Sequence, residues 1–143
     1  MICRTAKSAF PKKDLFPFFI HPFFLYLHTD FLFRMKIKEI VSALERFAPL
    51  PLQDGFDNAG VQIGLTDAEA TGALLCLDVT EAVIDEAIAL GYNLIIAHHP
   101  LLFKGYKSLT GRDYVERCIL KAVKNDIVVY AAHTNLDNAP GGV

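Results

Sequence analysis

Three short apolar segments constrain this chain more than anything else in it. Ala73 to Val79 reads ALLCLDV, Leu94 to Ala97 reads LIIA, and Ile127 to Ala132 reads IVVYAA. None alternates apolar with polar residues, so each predicts a strand buried on both faces. Segments of helical spacing separate them. Ala82, Val83, Ala87 and Ile88 mark one helix. Thr80 can cap it, Glu81 sits where the helix dipole favours an acid, and Gly91 can end it. Tyr114, Val115, Cys118, Ile119, Ala122 and Val123 mark another. Ahead of the first strand, Ile37, Ile40, Val41, Leu44 and Phe47 predict a helix stopped by Pro49 and Pro51. The stretch LQDGFDNAGVQIGL between them reads as a loop. The order helix, strand, helix, strand, helix, strand predicts an α/β fold: a parallel-type sheet with helices on both faces.

That topology says where chemistry can sit. In an open parallel sheet, ligands bind beyond the carboxyl ends of the strands. The first strand runs into Asp78-Val79-Thr80, the second into His98-His99-Pro100, and the third into His133-Thr134-Asn135-Leu136-Asp137. Three of the five His and two Asp therefore converge on one edge. Neighbouring strand residues point to opposite faces, so His98 and His99 would not share an ion within a regular strand. At a strand end before Pro100 the backbone can turn. The two imidazoles could then serve two ions, or one could ligate while the other donates a hydrogen bond. Asp137 adds a carboxylate able to bridge two cations. His133 could ligate, carry a proton, or hold another group in place. Asp78 reads equally as a helix cap or as a carboxylate bonded to a ligand His. Asp57-Asn58-Ala59-Gly60 reads as a turn, or as a loop lining the same edge. Lys104 and Lys107 read as solvated lysines or as attractors of an anionic substrate.

Composition narrows the function classes. With 52% hydrophobic and 21% charged residues, the chain can build a packed core. A net charge of -2 argues against nucleic-acid binding through bulk positive charge. Cys3, Cys76 and Cys118 form no CxxC pair, which speaks against a disulfide scaffold or zinc ribbon and for reduced thiols in a cytoplasmic protein. There is no P-loop, no GxGxxG and no GxSxG elbow.

The chain divides at Met35. Residues 1–34 hold eight of the 11 Phe and carry five Lys or Arg against Asp14 and Asp30. The stretch LFPFFIHPFFLYLHTDFLF has no helical or strand period and is interrupted by Pro17 and Pro22. Three readings apply: translated upstream sequence with Met35 as the true start, an export or membrane segment, or a genuine extension. His21, His28 and Asp30 within the run, and the lack of a small-residue cleavage site, count against the membrane reading. Residues 35–143 are expected to form the folded domain.

The segments FDNAGVQIG, LDVTEAVIDEA, NLIIAHHPLLF and YAAHTNLDNAPGG, in that order, resemble the NIF-three-like family, also called GTP cyclohydrolase 1 type 2 homologues or dinuclear metal centre proteins. The similarity runs from Met35 to Val143, and AHHPLLF with AAHTNLD is its most specific part. The resemblance implies the first half of a NIF-three-like fold and ring-shaped homo-hexamers. It also implies a site for two divalent ions (Zn, Fe or Mn) and a small-molecule substrate, with a nucleotide as one candidate. Carried over by motif, His98, His99 and Asp137 are metal ligands and His133 lies at the site; in the hydrolase reading His133 is the candidate catalytic proton carrier. Family members are longer, and a His and a Glu near their C-terminal end complete the site. Residues 35–143 are thus expected to be a C-terminally truncated N-terminal metal-site domain with at most partial occupancy. Two functions follow: a metal-dependent hydrolase, inactive as this fragment, or a metal-binding regulatory or interaction module without catalysis.

Overall fold

A computed structural model describes Arg4 and Thr5 and residues 35–143. The remaining expectations for residues 1–34 lie outside the described residues. Five strands form one sheet: β1 (Arg4–Thr5), β2 (Gly60–Ile63), β3 (Ala73–Cys76), β4 (Leu94–Ala97) and β5 (Val128–Ala131). Their spatial order is β1-β3-β4-β5-β2. The three strands anticipated from sequence are parallel neighbours at its centre. The outer two, β1 and β2, run antiparallel to β3 and β5.

Register decides what each face carries. Leu74, Ile95 and Val129 stand side by side, as do Ala73, Leu94 and Val128 one residue earlier. Adjacent rows point to opposite faces. The first row packs with α2 (Glu81–Leu90) and α3 (Tyr114–Lys124), which bury Ile84, Ala87, Val115, Cys118, Ile119 and Ala122. The second packs beneath α1 (Ile37–Phe47) through Ile37 and Val41, together with Tyr130. Two successive β-α-β passages of one hand place α2 and α3 on the same face. Helices therefore cover both faces, as expected.

Local signals account for the helix ends. The Thr80 hydroxyl accepts from Val83 N at 3.3 Å, and Gly91 closes α2 in the left-handed region at φ 69°. Asp113 caps α3 by accepting from Glu116 N at 2.8 Å. At α1, Glu39 reaches back to accept from Lys36 N at 2.7 Å. A 3₁₀ turn, Leu50–Leu52, follows where Pro49 and Pro51 end the helical run.

Several expectations need correction. The stretch read as a loop contains β2, which pairs antiparallel with β5 and carries a register shift between Val61 and Ile63. Four residues that begin with Gly60 and are followed by Gly64 give too little period to read as a strand. In α2 the buried stripe is Ile84 and Ala87, while Ala82 and Ile88 are exposed. In α3, Tyr114 and Val123 are exposed, and Glu116 is buried in their stead. In β3, Leu75 is 45% exposed rather than buried, because α1 lies over β4 and β5. Among the described residues no helix is long and apolar enough to cross a membrane.

Candidate metal centre

The ladder continues past the formal strand ends and sets the site in place. His98 N donates to Cys76 O at 3.1 Å, His99 N to Leu77 O at 2.9 Å, and Ala132 N to Ala97 O at 2.9 Å. Asp78, His98, His99 and His133 are thereby brought to one edge. The chain bends at His98 and His99, just ahead of Pro100, and the two adjacent imidazoles converge, with ring centroids 4.9 Å apart. His133 lies 5.2 Å from His98 and 5.6 Å from His99 by the same measure. One ring nitrogen from each of the three lies within 4.8 Å of the others.

Each imidazole is held by its Nδ1. His98 Nδ1 is 2.9 Å from Ala132 O. His99 Nδ1 is 2.9 Å from Asp78 Oδ1, and His133 Nδ1 is 2.8 Å from Asp57 Oδ1. A carbonyl or carboxylate oxygen only accepts, so Nδ1 carries the proton in all three neutral rings. The three Nε2 atoms are left with their lone pairs, the arrangement that metal-binding histidines show. This donor set fits a divalent transition-metal ion. Asp137 stands on the short α4 (Thr134–Asp137), with its Oδ1 3.8 Å from His98 Nε2.

Asp57 is the residue the sequence left undecided. It lies in the loop before β2, and its side chain is wholly inaccessible beneath His133. Oδ1 accepts from Asn58 N and His133 Nδ1, while Oδ2 accepts from the Thr134 amide and hydroxyl. Burial pushes its carboxyl up, but the hydrogen bonds from Thr134, His133 and Asn58 outweigh this and hold it below the usual carboxylate range. Asp78 is likewise resolved: it accepts from His99, while the cap of α2 is Thr80.

The residues after His133 tie the centre to the loop between α1 and β2. Thr134 Oγ1 accepts from Asp54 N at 2.9 Å. Asn135, fully buried, accepts from His133 N at 3.0 Å and donates to Ala48 O at 2.8 Å. Asn138 donates to Leu52 O at 2.9 Å. Apart from the bond between Asn135 and His133, these roles had no local signal, because the partners are 80 to 87 residues away.

Fold and site together define an α/β sheet protein with a histidine cluster beyond the carboxyl ends of its parallel strands. Residues 35–143 match the family Duf34/NIF3 (NGG1p interacting factor 3), and the chain belongs to this family. It is similar to a Clostridium perfringens protein named GTP cyclohydrolase 1 type 2 homolog, 44% identical over 109 residues, covering 76% of this chain and 42% of that one. A Staphylococcus aureus (strain COL) protein of the same name is 46% identical over 109 residues, covering 76% and 30%. Among solved structures, the Bacillus cereus protein related to NIF3 superposes with a TM-score of 0.72 at 46% identity, covering 76% of this chain and 30% of that one. The chain thus spans less than half the length of the curated relatives it matches.

Proposed function

We propose that residues 35–143 form the metal-binding part of a metal-dependent hydrolase, in which His98, His99 and Asp137 hold a divalent ion and His133 carries protons. One observation supports this above the others: three imidazoles, each fixed through Nδ1 and so with Nε2 left as an acceptor, bring one ring nitrogen apiece within 4.8 Å of the others. A divalent ion there would supply Lewis acidity and lower the pKa of a water molecule. Asp57 fixes the orientation of His133 through its Nδ1, which suits a group that passes a proton at a set position. Asp78 and the Ala132 carbonyl hold His99 and His98 in one tautomer.

Asp78 and Asp57 are taken up by the Nδ1 atoms of His99 and His133, which leaves Asp137 as the carboxylate beside an Nε2 atom among the described residues. Two adjacent dications sharing it would repel strongly. One ion is therefore the occupancy proposed for this chain, and the second ion of a dinuclear centre requires donors from elsewhere. The relatives' name makes a purine nucleotide a candidate substrate. A homo-oligomer, a hexamer by the family resemblance, and a cytoplasmic location complete the reading.

The position of His133 beside the other two rings also suits a third imidazole ligand. The family description as an interacting factor favours a regulatory module as the second function. Elemental analysis of the purified chain, beside His98→Ala/His99→Ala and His133→Ala, separates these. We expect near-stoichiometric metal in the wild type, none in the double variant, and retention in His133→Ala if it is the proton carrier. Loss in His133→Ala makes it a ligand. No metal in the wild type defeats the metal-centre reading. Bound metal with no turnover of nucleotides or phosphate esters by a full-length relative defeats the hydrolase and leaves the module.

A further inference from the structure

A cavity of about 730 Å³ opens beside the histidine cluster and shares a wall with it. Asp57, which holds His133, lines this cavity, and so does Phe103, whose ring lies edge-on to His133 with centroids 5.9 Å apart. Two more aromatic side chains, Phe56 and Tyr106, face the same space. All three aromatics are exposed, by 71% for Phe56, 52% for Phe103 and 37% for Tyr106. Large apolar rings left in water around a concavity mark a binding surface more often than scattered exposure does.

The accessible charge at this cavity is positive. Lys104 lines it and has no ion-pair partner among the described residues. The carboxylate present, Asp57, is inaccessible and spends its oxygens on Asn58, Thr134 and His133. The polar amides beside it are committed too. Asn58 Nδ2 donates to Leu102 O at 2.6 Å, and Gln62 Oε1 accepts from Leu102 N at 3.1 Å. They hold the loop that presents Phe103 and Lys104 against β2, so that wall is fastened on both sides of Leu102.

Resting on the metal-centre reading, we infer that this cavity receives the organic part of the substrate, a planar aromatic group bearing an anionic substituent. The ring would stack among Phe56, Phe103 and Tyr106, the anion would pair with Lys104, and the reacting end would reach His133 at the shared wall. The aromatic walls select a flat π-system over a saturated ring of equal size. Lys104 selects an anion over a neutral compound.

The test uses the full 143-residue chain, ¹⁵N-labelled, titrated with phenyl phosphate, cyclohexyl phosphate and inorganic phosphate, with and without zinc. We expect phenyl phosphate to shift the amides of Phe103 and Tyr106 and to bind about tenfold tighter than the other two, a preference of the size one good aromatic contact provides. Lys104→Gln should weaken phenyl phosphate about tenfold, and Phe56→Leu/Phe103→Leu should abolish the aromatic preference. These side chains are exposed, so the variants should melt as the wild type does. Equal affinity for all three probes, or shifts confined to the histidine amides, overturns the inference. If zinc fails to bind while phenyl phosphate still shifts Phe103 and Tyr106, the metal reading falls and the cavity stands. If zinc binds and phenyl phosphate shows no advantage over inorganic phosphate, the cavity falls and the metal reading stands.

Discussion

Asp57 holds His133 by a 2.8 Å hydrogen bond across 76 residues of sequence. The contact joins the loop before β2 to the end of β5 and aims one of the three imidazoles. Replacing Asp57 by Asn keeps the shape but removes the charge that holds the ring. Because His133 is the proposed proton carrier, we expect zinc affinity to be kept, whereas a fall of about 10- to 100-fold, as for outer partners of ligand histidines, would make His133 a ligand. Isothermal titration with zinc, beside a melting curve to show the fold intact, checks this.

Asn135 carries two buried hydrogen bonds, one to each side of the centre. Asn135→Ala strands the Ala48 carbonyl and the His133 amide in the interior. We expect a loss of about 2–4 kcal/mol, from two buried groups at 1–3 kcal/mol each with partial relaxation. Urea unfolding measures it. A loss below about 1 kcal/mol would show that water replaces both bonds.

Gly64 follows β2 at φ 93°, and a Cβ there would stand 2.9 Å from the backbone Cα of Val128. Both the left-handed backbone and the close approach require glycine. Gly64→Ala should destabilise by about 1–3 kcal/mol and loosen β2 from β5. Hydrogen exchange at residues 60–63 and 128–131 should quicken in step with the loss of thermal stability. Protection equal to the wild type at both strands would refute the proposed clash.

Glu116 predicts the acid response. Its carboxylate accepts from the amides of Thr110 and Arg112, from the Thr110 hydroxyl and from the Arg112 guanidinium. The two backbone donors lead in lowering its pKa, from 4.5 to about 2. A depressed carboxylate stabilises the fold fully above the unfolded pKa, and that contribution is lost as pH falls through the folded one. Stability should therefore decline between pH 4.5 and about 2, with uptake of about one proton from this group. In Glu116→Gln that component should be missing, leaving a shallower pH dependence. Identical slopes in the two proteins would show that Glu116 does not govern the acid limb.

Much of the fold could be read from the chain because the deciding signals are local. The runs at 73–79, 94–97 and 127–132 could bury themselves only between helices, and Thr80 and Gly91 mark the ends of α2 by their own chemistry. The family resemblance read from the AHHPLLF and AAHTNLD segments agrees with the match over residues 35–143. Strand β2 escaped because half of its definition is its partner: its hydrogen bonds exist only against β5. The same holds for Glu116, which looks like an exposed helical acid until the loop at 108–112 folds over it.

By itself the sequence determined which residues reach the sheet's carboxyl edge, since the apolar runs end where His98, His99 and His133 begin. Tertiary structure alone decided what those residues can do there. Register across β3, β4 and β5 set the rings together, and the bend at His98 and His99 let the adjacent imidazoles converge. Asp57, Asp78 and the Ala132 carbonyl then took the three Nδ1 atoms and left three Nε2 atoms free. Which nitrogen is free depends on which oxygen lies against the other, and those oxygens come from 21, 34 and 76 residues away. Hydrophobic period and capping act over one turn or one strand, so they locate a residue in the fold. Its tautomer, orientation and partners are set by neighbours that only folding supplies.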